Sequence, residues 1–81
     1  MSWIEKNNSL QISLKFKDFI TTWAFMTEVA ITAEKMNHHP SWSNTYNTVD
    51  ITLSTHDAGN IITEKDNKLA EKITMIYEKY S

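Results

Sequence analysis

Twice along this chain the apolar residues switch from every second position to every third or fourth, and that switch constrains the fold most. Leu10, Ile12, Leu14 and Phe16 alternate with Gln11, Ser13, Lys15 and Lys17, the pattern of a strand with one buried face. From Asp18, a good helix N-cap, the period lengthens. Phe19, Ile20, Trp23, Met26, Thr27, Ala30 and Ala33 recur at helical spacing to about Asn37. The cycle then repeats. Val49, Ile51, Leu53 and Thr55 alternate with Asp50, Thr52, Ser54 and His56, and beyond Thr63 a helical stripe runs through Leu69, Ala70, Ile73, Ile76, Tyr77 and Tyr80. Trp3 and Ile4 open a short strand before the Asn7-Asn8-Ser9 turn cluster, which predicts a hairpin of residues 3–6 with 9–16. Trp42 to Tyr46 is β-prone, with Asn47-Thr48 as the tight turn of a second hairpin. Two hairpins, each followed by a helix, predict an α+β domain: a four-stranded antiparallel sheet with helices on one face, in the order β-β-α-β-β-α.

The ends of the elements carry their own signals. Pro40, the only proline, disfavours helical geometry in the residue before it, so the first helix should stop near Asn37 or His38. Thr63 and Asp66 stand at the two positions of a capping box that starts the second helix. Phe25, Val29 and Met36 widen the apolar face of the first helix. That width fits either burial between the sheet and the second helix or contact with the same helix in another subunit. Val29, with Phe25 and Met36 as alternates, is the expected contact position, and the run Val49 to Thr55 is the expected edge strand.

With 81 residues, residues 1–81 are read as a single domain, small enough to gain from self-association as a homodimer or homotetramer. There is no cysteine, so disulfides and thiol catalysis are excluded. No apolar run reaches the roughly 20 residues of a membrane span, and the first residues lack a signal-peptide pattern. A cytoplasmic location is therefore expected. A net charge of −2 argues against direct nucleic-acid binding.

The chemistry concentrates in Glu34-Lys-Met-Asn-His-His-Pro-Ser-Trp42, which holds two of the three histidines. They fall where a helix stops and an extended segment begins, and His56 closes the second alternating run. A zinc set of the three histidines with Glu34 or Asp57 is chemically acceptable. Adjacent histidines diverge in direction, however, and the HExxH arrangement is absent. Acid–base catalysis without a metal is the preferred reading, because imidazoles titrate near neutral pH. Glu34, one helical turn before His38, could orient it. Trp42 offers either a flat wall for an aromatic ligand or simple packing. No glycine-rich phosphate loop or nucleophile elbow is present.

The segment Glu34-Lys-Met-Asn-His38-His39-Pro40, followed by Trp42, Tyr46, Val49, Leu53-Ser-Thr-His56-Asp57 and Thr63-Glu-Lys-Asp66, resembles the pterin-4a-carbinolamine dehydratase family. Phe16-Lys-Asp-Phe19, Phe25-Met26, Val29-Ala30 and Ala33-Glu34 are similar to its helix signature, and the likeness runs from Trp3 to about Ile73. The pairing of His-His-Pro with Thr-His, seventeen positions beyond His39, is its most specific part.

The resemblance implies dehydration of 4a-hydroxytetrahydrobiopterin to the quinonoid dihydropterin, in tetrahydrobiopterin recycling, with no cofactor and no metal. It implies His38 and His56 as the acid–base pair and His39 as a residue holding the pterin, all three counted as catalytic. Pro40 and Thr55, His56, Asp57 and Ala58 would line the substrate site, with Glu34, Trp42 and Asp66 in support. Functional coupling to an aromatic amino acid hydroxylase is part of the same picture. A role as a dimerisation or transcriptional cofactor, and activity on a different pterin, are the alternatives it carries. Against the family pattern, the chain starts almost at the first strand, without the usual leading helix. Its Gly59-Asn-Ile-Ile-Thr63 loop reads as one residue longer.

Overall fold

The computed structural model describes residues 2–81. Strands β1 (Ile4–Lys6) and β2 (Ser9–Lys15) lead into helix α1 (Phe19–Met36). Strands β3 (Ser41–Thr45) and β4 (Thr48–Leu53) follow, then a single turn of 3-10 helix at His56–Ala58 and helix α2 (Glu64–Tyr80). The sheet is antiparallel, with spatial order β1-β2-β4-β3. Both helices lie on one face, as the periodicity predicts.

Register explains the core. Leu10 pairs with Leu53, Ile12 with Ile51 and Leu14 with Val49, so the apolar positions of two strands face the same way. Phe25, Met26, Val29 and Ala33 of α1, and Leu69, Ala70, Ile73 and Ile76 of α2, close over them. Phe16 bridges the layers, with ring centroids 4.8 Å from Phe25 and 5.2 Å from Tyr77. Trp3 joins from the N-terminal side, its indole N–H donating to Thr74 Oγ1 at 3.0 Å. Gln11, Ser13, Lys15 and Asp50 occupy the opposite, solvent-facing side of the sheet, where the Ser13 hydroxyl donates to Asp50.

The α1 termini follow the sequence signals. Asp18 Oδ1 accepts from the Thr21 amide at 2.8 Å. At the far end Asn37 adopts a left-handed conformation (φ 52°), its N–H donates to Glu34 O, and the His38 N–H donates to Ala33 O at 3.1 Å. The helix therefore ends in a left-handed cap, a geometry asparagine tolerates; Pro40 sits beyond an end already made.

Three expectations are corrected. The β3–β4 turn is Tyr46-Asn47, one residue earlier than Asn47-Thr48, because Thr45 pairs with Thr48. Tyr46 takes the positive φ of 47°, while Asn47 hydrogen-bonds Phe16 through both its carbonyl and its side-chain amide. That tie to the end of β2 sets the turn. Second, the run beginning at Val49 is not an edge. β4 lies between β2 and β3, and the edges are β1 and β3. Third, Val29 and Phe25 are wholly buried and Met36 is partly buried against the core. The surplus apolar surface of α1 is its outer side: Ile20 is 80% exposed, Trp23 and Ile31 54% each, and Phe19 45%. Among the described residues no helix is long and apolar enough to cross a membrane.

Candidate active site

Two corners of the fold meet at one end of the sheet. The first is the α1–β3 corner, where the left-handed Asn37 turns the chain and sends His38 inward and His39 outward. The second is the segment after β4. There the Thr55 amide donates to Ile61 O at 2.8 Å, and Thr55 O accepts from the amides of Ala58 and Asn60. This closes a small loop over His56. Gly59 (φ 86°) and Asn60 (φ 61°) supply the left-handed residues the closure requires.

An open cleft of about 300 Å³ lies between the corners, lined by Asn37, His38, His39, Ser54, Thr55, His56, Asp57 and Lys65. All three histidines reach it. Pro40, Ala58, Glu34 and Trp42 do not line it. Trp42, opposite Ile51 on β4, packs against the hydrophobic core, so packing accounts for it. Lys65 was not singled out from the sequence. Its signal is weak there, since a lysine in the first turn of a helix reads as an ordinary solvated residue.

The imidazoles differ in setting. His38 is 8% exposed, and its Nε2 lies 2.6 Å from Asp66 Oδ1. Asp66 is itself fully buried. Its Oδ2 accepts from the Thr55 hydroxyl at 2.7 Å and from the Thr63 amide at 2.9 Å, the latter half of the α2 capping box. Burial raises the pKa of Asp66, but the hydrogen bonds from His38, Thr63 and Thr55 outweigh it, and the carboxyl stays below its ordinary value. Asp66 thus caps a helix and holds an active-corner histidine at the same time. Thr55, expected to face substrate, spends its hydroxyl inward on Asp66 and on Thr63 Oγ1, the latter at 2.5 Å.

His39 and His56 are exposed. His39 Nε2 lies 2.9 Å from Glu34 Oε1, so Glu34 orients His39 and not His38 as the sequence suggested. Five residues back across the left-handed cap, Glu34 lies nearer the outward ring than the buried one. His56 Nδ1 lies 3.3 Å from Asn60 Oδ1. Among the described residues, no group of three or more histidine and carboxylate side chains is arranged to hold a metal ion.

A family model described as Pterin 4 alpha carbinolamine dehydratase matches residues 1–76. A Burkholderia pseudomallei protein provisionally named pterin-4-alpha-carbinolamine dehydratase is 59% identical over 66 residues, 82% of this chain and 64% of that protein. A Sinorhizobium medicae protein of the same provisional name is 50% identical over 78 residues, covering 94% of this chain and 73% of its own. The chain spans about 64% of the length of the first of these relatives. Among solved structures, a transcriptional coactivator/pterin dehydratase from Brucella melitensis superposes with a TM-score of 0.87 at 46% identity, over 91% of this chain and 80% of that one. A pterin dehydratase-like RuBisCO assembly factor of the alpha-carboxysome shares the fold, with a TM-score of 0.74 at 22% identity over 93% of this chain and 86% of its own.

Proposed function

Since the chain belongs to the pterin-4a-carbinolamine dehydratase family, we propose that its cleft removes water from a 4a-hydroxytetrahydropterin, 4a-hydroxytetrahydrobiopterin by preference, to give the quinonoid dihydropterin. The single observation that carries this reading is the convergence of three imidazoles from two separate corners on one cleft. Elimination needs one group to take a proton from the ring nitrogen and another to give a proton to the departing hydroxyl. His38 and His56 are that pair, and both ring systems border the same space. His39, steered by Glu34, holds the pterin. Asp57 and Ser54 line the remaining wall, and Lys65 brings a positive charge to the rim. The reaction fits the recycling of a pterin oxidised by an aromatic amino acid hydroxylase. The test is direct: purified protein is added to freshly generated 4a-hydroxytetrahydrobiopterin while the absorbance of the quinonoid product is followed. Dehydration no faster than the spontaneous reaction would refute the assignment.

A second reading, a partner-binding module that self-associates as a dimer or tetramer, draws on a different observation. Phe19, Ile20, Trp23 and Ile31 form an exposed apolar strip along α1, with Phe19 and Trp23 stacked at 5.9 Å between centroids. Such a strip is costly on an isolated small domain and gains from cover. The Brucella melitensis neighbour is described in both terms, as a transcriptional coactivator and as a pterin dehydratase. The two readings are compatible, since strip and cleft share no residue.

A further inference from the structure

We propose that the groove between the outer flank of α2 and the helix-side face of β1 is a docking site for one amphipathic helix of a partner protein. The apolar stripe of that helix seats on Trp3 and Met75, and its flanking lysines or arginines meet Glu71 and Glu78. This goes beyond the dehydratase reading and does not rest on it. The groove shares no residue with the histidine cleft or with the exposed strip of α1.

The groove exists because the two helices leave one strand bare. Glu5 pairs with Leu10, which belongs to the core, so Glu5 stands on the side of the sheet that carries the helices. It is exposed all the same, as is the whole of β1. Trp3, two residues earlier and on the same side by alternation, is fixed at the edge of the groove. Its indole N–H donates to Thr74 Oγ1 at 3.0 Å, and the Thr74 hydroxyl donates to Ala70 O at 2.9 Å. An open groove of about 400 Å³ runs beside this contact, and Met75, which lines it, is 61% exposed. A fixed indole next to a flexible thioether is a surface that accepts apolar side chains of several shapes.

Shape and charge select the occupant. The lining residues of α2 recur at three- and four-residue spacing between positions 67 and 78, so they form one helix face about 16 Å long. Such a face, beside an existing helix and over a bare strand, suits a further helix in the same layer, packed at about 8–10 Å. A strand would instead add to the free edge of β1 in the plane of the sheet and leave the groove empty. The lining contains Glu71 and Glu78 and no basic residue. Among the described residues neither glutamate has an ion-pair partner. Lys79 pairs with Glu28, Lys65 borders the histidine cleft, and Lys68 and Lys72 lie outside the lining. Two free carboxylates along an apolar floor are complementary to a helix whose apolar stripe is flanked by basic residues.

The probe is a synthetic amphipathic peptide of about 15 residues, with leucines on one face and lysines beside them, titrated into the isotope-labelled protein. The control peptide carries glutamate in place of every lysine. In proton–nitrogen correlation spectra the Trp3 indole and the backbone amides of residues 67–78 should shift saturably with the lysine peptide. The glutamate peptide should bind at least about tenfold more weakly. Met75→Lys, at an exposed position, should retain the melting transition and abolish binding. Should that variant not fold, Glu71→Gln combined with Glu78→Gln makes the same test through charge alone, and is expected to weaken the lysine peptide about tenfold. Equal binding of the two peptides would overturn the proposal, as would shifts confined to residues 19–31 of α1 or to the histidines. So would a lysine peptide that never saturates at millimolar concentration. A free protein whose mass in light scattering drops on Met75→Lys would assign the groove to a second copy of this chain, which also contradicts the proposal.

Discussion

Asp66 joins two tasks that are usually separate, since one carboxylate caps α2 through Oδ2 and holds His38 through Oδ1. Its removal should therefore be felt in stability as well as in turnover. The folded-state pKa lies below the ordinary value of 3.8. Its stabilising contribution is thus fully present above that value and is lost as the pH falls through the folded-state pKa. Urea midpoints measured across the acid range should fall steeply below about 3.8 in the wild type and more shallowly in Asp66→Asn, which is also weaker at neutral pH. The histidines should separate by kinetics. Replacing His38 or His56 by Ala should lower kcat about 10²–10⁴-fold, whereas His39→Ala should act mainly through KM. His39 is exposed and oriented only by a solvent-facing glutamate, so it contributes to holding the ligand. Equal losses in kcat at all three positions would contradict this division.

At the level of elements, α1 has two apolar sides. The inner side, through Phe25, Met26, Val29 and Ala33, reaches the sheet and α2; the outer side, through Phe19, Ile20, Trp23 and Ile31, reaches solvent. Composition does not tell them apart, which is why Val29 stood out in the sequence as a contact residue when it is core. The two sides make opposite predictions. Trp23→Glu should leave the chain folded and shift its mass in light scattering toward the monomer. Val29→Glu puts an unpaired charge into the core and should unfold it. A wild-type protein already monomeric at tens of micromolar would remove self-association from the proposal. Capping should be simpler. Asp18→Ala deprives the Thr21 amide of its acceptor and should lower the denaturant midpoint without changing the fold.

Across the whole molecule, burial is concentrated in few residues. Leu69 and Ile73 of α2 are entirely buried against Ile51, Leu53 and Phe25 of the shared core. Large-to-small replacement at such a site costs about 2–5 kcal/mol, a large part of the roughly 5–15 kcal/mol a domain possesses. Ile73→Ala should therefore lower the melting temperature sharply, although it touches nothing in the cleft. The cleft depends on that core indirectly, because α2 carries Asp66 and the sheet carries the Thr55 loop.

Signals local to the chain are enough to set the order of elements, the face that β2 and β4 bury and the ends of both helices. They consist of period two or 3.6, a cap residue, and a residue able to turn left-handed. The same kind of reading brings forward His38, His39 and His56, because their positions at element ends are visible along the chain. Packing in three dimensions settles which strand lies at the edge, which side of α1 is core, and what each imidazole touches. Strand order depends on how two hairpins combine, and β4 pairs inside the sheet because its apolar face matches that of β2 in register. Glu34 lies nearer to His38 along the chain, yet the left-handed Asn37 turns that ring away, and Glu34 meets His39. The partner of His38 is Asp66, twenty-eight residues later. Its capping pattern was legible, but its second hydrogen bond was not, because α2 must first pack against α1 and the sheet before the two side chains come within reach.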